Sequence, residues 1–216
     1  MDVTHVLFDL DGTLTDPGEG ITNAVRYSLG KFGIEVKERS ELYPFIGPPL
    51  IDSYMKYYGM PRQQAEQAVA YYREYYSADG MFENKVYEGI PELLEQLKDA
   101  GKKLILATSK PDYFAERILE RFELFSYFDF IGAASLDGTR NNKVQVIQHV
   151  ITECGIGDVS ECIMVGDRKY DIEGAHHFGM PCISVLYGYG GREEFASAGS
   201  EYVAQTPADI WKIISS

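Results

Sequence analysis

The chain has 216 residues, 45% of them hydrophobic and 13% aromatic, enough apolar material for one sizeable core or a core domain with a small accessory one. Its 20 basic and 33 acidic residues leave a formal charge of −13. Such a surface repels polyphosphate backbones and anionic bilayers, so neither a nucleic-acid polymer nor a membrane is an expected partner, whereas a small anion answers to the local field of a site.

The first residues, Met1-Asp2-Val3-Thr4-His5, lead straight into an apolar run. They lack the basic region and long apolar stretch of a signal peptide, and no later segment approaches the roughly 20 apolar residues of a membrane span. Cys154, Cys162 and Cys182 have no C-x-x-C spacing and read as free packing residues, which fits a cytoplasmic protein.

His5 to Phe8 forms the first expected strand, closed by Asp9 and a glycine-containing turn. Ile21, Ala24, Val25, Ser28, Leu29 and Phe32 then recur at helical spacing up to Gly33. A second helix is expected from Pro48-Pro49 to about Tyr58 and a third from Pro61 onward, with no strand between them. The tyrosines of this stretch (Tyr54, Tyr57, Tyr58, Tyr71, Tyr72, Tyr75, Tyr76) read as packing residues at helical spacing. Tyr43 to Pro48 reads as a turn-rich loop. The expected domains are therefore a core of residues 1–16 and 84–216 and a helical insertion at 17–83.

Beyond residue 84, helices alternate with short apolar strands. A helix at Pro91–Ala100 precedes a strand at Lys103–Ala107, and a helix from Pro111 to Phe122 precedes a strand at Phe128–Gly132. Val144, Ile147, Val150, Ile151 and Cys154 mark the next helix, followed by strands at Cys162–Val165 and Cys182–Val185. Nearly continuous apolar strands joined by helices predict an α/β fold, a Rossmann-like parallel sheet with helices on both faces. Ligands of such sheets sit beyond the carboxyl ends of the strands.

The polar residues after those strands are Asp9-Leu10-Asp11-Gly12-Thr13-Leu14-Thr15-Asp16, then Thr108-Ser109-Lys110, then Lys143, then Gly166-Asp167-Arg168-Lys169-Tyr170-Asp171. Asp9, ending a strand, is the better-held nucleophile candidate, and carboxylate attack on phosphorus splits hydrolysis into two easier displacements. Asp11 can protonate the leaving alkoxide and later deprotonate water. Thr108, backbone N–H groups of the 9–11 turn and Lys143 can neutralise equatorial phosphoryl charge. Mg²⁺, which takes oxygen ligands and few carboxylates, suits Asp9 and Asp167, with Asp171 holding a metal-bound water.

In their order and spacing these four segments resemble the motifs of the haloacid dehalogenase-like hydrolase superfamily, over essentially the whole chain. The nearest likeness is to phosphoglycolate phosphatase-like and 5′-nucleotidase-like members, and the insertion resembles their helical type I cap. The resemblance implies Asp9 as nucleophile, Asp11 as acid and base, and Thr108, Ser109 and Lys143 on the phosphoryl group. It also implies Mg²⁺ on Asp9, the Asp11 carbonyl and Asp167, and as substrate a small phosphorylated metabolite. Arg140-Asn141-Asn142-Lys143 lacks the Lys-Pro pair common among relatives.

A phosphatase acting through a phosphoaspartate, as monomer or homodimer, is the expected function. A phosphosugar mutase and a catalytically silent binding protein are the alternatives. A dehalogenase has no use for the acid Asp11, and a silent protein none for all of Asp9, Asp11, Thr108, Lys143 and Asp167.

Overall fold

The computed structural model describes all residues, 1–216. Strand β1, His5–Phe8, carries Val6, Leu7 and Phe8 with no exposed surface, because side chains on both faces of the strand are covered. The chain continues through β2 (Thr15–Asp16), α1 (Gly18–Gly30), α2 (Leu50–Tyr58), α3 (Arg62–Ala78) and β3 (Lys85–Val86). Then follow α4 (Ile90–Asp99), β4 (Lys103–Pro111), α5 (Asp112–Arg121), β5 (Phe130–Ala134), α6 (Lys143–Glu153) and β6 (Cys162–Gly166). The last elements are α7 (Lys169–His176), β7 (Cys182–Val185), α8 (Arg192–Ala198), β8 (Tyr202–Ala204) and α9 (Pro207–Ser215).

Six strands form one sheet in the order β5-β4-β1-β6-β7-β8, every pair parallel, and helices surround it. This is the Rossmann-like architecture expected from the strand and helix pattern. The order runs outward in both directions from β1, so the switch point of the topology lies there, where such sheets open a crevice. Phe8 is in register with Leu106 of β4 and Val165 of β6. The next residues of the three strands, Asp9, Ala107 and Gly166, therefore lie at one level of the sheet.

By internal packing the chain forms two units, Met1–Thr15 with Val86–Ser216, and Asp16–Lys85. In the first, Leu7, Ile105, Val146, Ile147, Val150, Met164 and Ile172 belong to one buried apolar cluster against the sheet. In the second, α1 packs on α3, and Phe45 meets Tyr54 edge to face at 5.0 Å. Of the tyrosines expected to pack, Tyr54, Tyr72 and Tyr76 are buried, but Tyr57 is 44% exposed. The expected loop at Tyr43–Pro48 is partly 3₁₀-helical, the turn of Arg39–Phe45 being closed by a reciprocal Glu38–Glu41 capping box.

Three expectations shift. The strand expected at Phe128–Gly132 runs Phe130–Ala134, because Asp129 is consumed outside the ladder: its N–H donates to the Leu104 carbonyl and its carboxylate accepts the Leu104 N–H at 2.9 Å. Strand β4 continues to Pro111 rather than ending at Ala107, with an irregularity in register between Thr108 and Pro111. In α6 Ile147 and Val150 of the expected stripe are buried and Ile151 and Cys154 pack against the same cluster, but Val144 is only half-buried, and Lys143 and Val146 are buried beside them. The first residue of the helix, a lysine, thus faces inward with the apolar ones.

Candidate active site

The loop after β1 wraps around one carbonyl. The Leu10 oxygen accepts from the N–H groups of Thr13, Leu14 and Thr15, and Gly12 takes a left-handed φ of +82° that a side chain would strain. Asp9 itself donates its N–H to the Val165 carbonyl of β6 at 2.9 Å, so the nucleophile candidate is still tied to the sheet. Gly12 is needed for a second reason: a Cβ there would collide with the Asp167 carboxylate.

Lys143 meets three oxygens. Its Nζ donates to the Ala107 carbonyl at 2.8 Å and stands 3.0 Å from Asp9 Oδ1 and 2.7 Å from Asp171 Oδ1. Its side chain is 3% exposed. Burial pulls its pKa down, but the Asp171 and Asp9 carboxylates outweigh that and hold it above the ordinary lysine range. Gly174 of α7 is the gap into which the lysine stem fits, since a Cβ there would meet Lys143 Cγ and Cβ.

Asp167, fully buried, accepts the Tyr189 N–H on Oδ2 at 2.7 Å, while its Oδ1 has no hydrogen-bond partner. Asp171, at the third position of α7, accepts the Arg168 N–H on Oδ2 at 3.0 Å and turns Oδ1 to Lys143. Oxygens of Asp9, Asp167 and Asp171 all lie within 4.8 Å of one another. Burial, then repulsion from Asp171 and Asp9, pushes Asp167 well above the usual carboxylate range. Burial likewise raises Asp171 to about 6, against the pull of Lys143.

Three converging carboxylates with one ammonium between two of them are short of positive charge, and a buried oxygen without a partner lacks a donor or a cation. The set is all oxygen, as Mg²⁺ requires. These residues fit that ion.

Asp11 bonds elsewhere. Its Oδ2 lies 2.5 Å from Lys110 Nζ, and its Oδ1 is buried without a hydrogen-bond partner. Burial raises the Asp11 pKa, and Lys110 acts against that. Thr108, 1% exposed, accepts the Lys110 N–H on Oγ1 at 3.2 Å, which leaves its own O–H proton to donate. Ser109 is half-buried on the extended end of β4.

Asp9, Asp11, Thr108, Lys143, Asp167 and Asp171 thus share one rim of the sheet. Sequence reasoning gave no role to Lys110, nor to the segment 187–190. There the Tyr187 hydroxyl donates to the Thr13 carbonyl at 3.1 Å, and Gly188 and Gly190 lie so close to Asp167 that a Cβ on either would overlap it. The run Tyr187-Gly188-Tyr189-Gly190-Gly191 after a buried strand was the available signal. Leu136-Asp137-Gly138-Thr139, an echo of the first motif, makes only a turn, with Asp137 accepting from Thr139 N–H and O–H.

The family profile described as haloacid dehalogenase-like hydrolase matches residues 6–185. The chain belongs to that family. It is 43% identical over 205 residues to a 5′-nucleotidase of Pseudomonas aeruginosa, covering 94% of this chain and 92% of that one. It is 38% identical over 206 residues to the tyrosine-protein kinase PtkA of Mycobacterium tuberculosis, covering 95% of this chain and 69% of the relative. The crystal structure of a predicted phosphatase from Clostridium acetobutylicum superposes with a TM-score of 0.95 at 48% identity, covering 99% of this chain and 98% of that one. This member of the family is a hydrolase of the phosphatase class.

Proposed function

We propose that the protein is a Mg²⁺-dependent phosphatase that hydrolyses monoesters of small metabolites, a nucleoside monophosphate or a phosphoglycolate-like ester, through a phosphoaspartate on Asp9. The observation that carries this reading is the position of Asp9. It lies one residue beyond the central strand, 3.0 Å from the Lys143 ammonium and beside the partnerless oxygen of Asp167.

In the first displacement an Asp9 oxygen forms a bond to phosphorus as the bond to the ester oxygen breaks, and Asp11 gives that oxygen its proton. In the second, Asp11 takes a proton from the attacking water, phosphate leaves, and the Asp9 carboxylate is restored. Thr108, Ser109 and Lys143 hold the phosphoryl oxygens through both steps, so the chain's work is positioning and charge neutralisation. Asp9, the Asp11 carbonyl and Asp167 would hold Mg²⁺, with Asp171 behind them. When bound, the ion offsets the repulsion between the carboxylate and the anionic phosphate.

The domain reading belongs to the same proposal: residues 17–83 as a helical cap inserted in a catalytic core of 1–16 and 84–216. The P. aeruginosa relative's name supports nucleoside monophosphates as the first substrates to assay.

Asp9→Asn should abolish Mg²⁺-dependent orthophosphate release from an aryl phosphate, and retained turnover would remove the mechanism. A panel of phosphate esters, with hexose phosphates to detect mutase products and ATP with a tyrosine peptide to detect transfer, then defines the substrate. Release of orthophosphate without transfer is the expected outcome.

A further inference from the structure

Lys110 lies outside the role-bearing residues so far, yet its side chain is only 5% exposed. Burying an ammonium is costly unless it is paired and hydrogen-bonded, so a buried lysine calls for a reason. Its partner is one oxygen of Asp11, 2.5 Å away and 99 residues distant in sequence. The other Asp11 oxygen is buried and has no hydrogen-bond partner.

The two active-site lysines divide the carboxylates between them. Lys143 reaches Asp9 and Asp171, and Lys110 reaches Asp11. The neighbouring carboxylates Asp9 and Asp11, which repel one another, are thereby drawn to different cations.

The local backbone explains how Lys110 arrives there. A residue before proline is confined to extended conformations, and Pro111 follows Lys110 as the N-cap of α5. The irregularity between Thr108 and Pro111 then shifts the register of β4 at this point. The same residue's N–H holds the Thr108 hydroxyl oxygen at 3.2 Å.

We propose that Lys110 is a positioning residue for Asp11: it fixes Oδ2 so that Oδ1 is presented to the leaving-group oxygen of the substrate. This rests on the phosphatase reading. The proton itself passes from Asp11 to the ester oxygen as the P–O bond breaks, and Lys110 neither gains nor loses one.

The experiment compares wild type and Lys110→Met on p-nitrophenyl phosphate, whose leaving group needs little protonation, and on an alkyl phosphate, whose leaving group needs it fully. Because positioned acids contribute about 10²–10⁴-fold, kcat/KM on the alkyl ester should fall at least about 10-fold more than on the aryl ester. Equal losses on the two esters, or no loss on either, overturn the proposal. Should the Met variant not fold, Lys110→Gln is measured in its place, with the same pattern expected at smaller size.

A crystal structure of the folded variant provides a readout independent of turnover. A changed Asp11 rotamer supports the proposal, and an unchanged one overturns it. A wild-type protein that releases phosphate from neither ester defeats the phosphatase reading, while the Asp11 rotamer in the variant still decides this one.

Discussion

The Lys143 ammonium stands 2.7 Å from Asp171 Oδ1, with 3% of one side chain and 1% of the other exposed. Breaking a buried pair leaves an uncompensated charge, which typically costs about 3–5 kcal/mol. Lys143→Met should therefore lower unfolding stability by about that amount, measured by urea denaturation without metal. It should also abolish turnover, because Asp9 loses its cation at the same stroke.

The carboxylate cluster predicts an inverted pH dependence of stability in the metal-free protein. Asp171 titrates at about 6 in the fold, against 3.8 for the free group, and Asp167 and Asp11 are raised in the same direction. A carboxyl with a raised folded pKa keeps its proton while the unfolded chain loses it, so its contribution is fully present below the unfolded value and lost as pH rises through the folded one. The metal-free melting temperature should fall between about pH 4 and pH 6, as measured by calorimetry. A steady rise through that window would contradict the burial argument.

Magnesium should reverse that trend, because it competes with the same protons. At 100 times its dissociation constant a ligand that binds only the native state adds about 2.7 kcal/mol. The melting temperature should rise on adding Mg²⁺ at about pH 7.5, rise less at about pH 5, and hardly move in Asp167→Asn.

Gly188→Ala should damage the site without touching its chemistry. A Cβ at 188 would overlap the Gly12 carbonyl and the Asp167 side chain. Overpacking of this kind costs about 1–3 kcal/mol, and here the displaced group is a proposed Mg²⁺ ligand. The variant should need more Mg²⁺ for half-maximal turnover, read from a magnesium titration.

Much of this was legible in the chain because a parallel sheet enforces it. Apolar strands flanked by helices give the architecture, and polar residues one or two positions beyond Phe8, Ala107 and Val165 must emerge together once those strands pair in parallel. What stayed hidden depends on side-chain direction and tertiary contact. Lys110 stands in the sequence only as the end of the Thr108-Ser109-Lys110 segment, and the extended course of β4 reveals that it reaches Asp11. Lys143 is marked in the sequence as a phosphoryl-binding residue, but its burial is not, because periodicity counts apolar residues and the buried stripe of α6 begins with a lysine. The glycines at 188 and 190 carry no side chain for a pattern to register, and their meaning is the space they leave around Asp167. Strand β8 and helices α8 and α9 also went unforeseen, since Tyr202–Ala204 is too short to stand out from its surroundings.

Trapping the covalent intermediate bears most directly on Asp9. The enzyme is quenched during turnover of an aryl phosphate with Mg²⁺ and treated with borohydride, which reduces an acyl phosphate to an alcohol. Mass spectrometry of the peptide containing residue 9 should then find homoserine in place of Asp9, dependent on substrate and on Mg²⁺. An intact Asp9 in every sample, alongside continuing release of orthophosphate, would contradict the account.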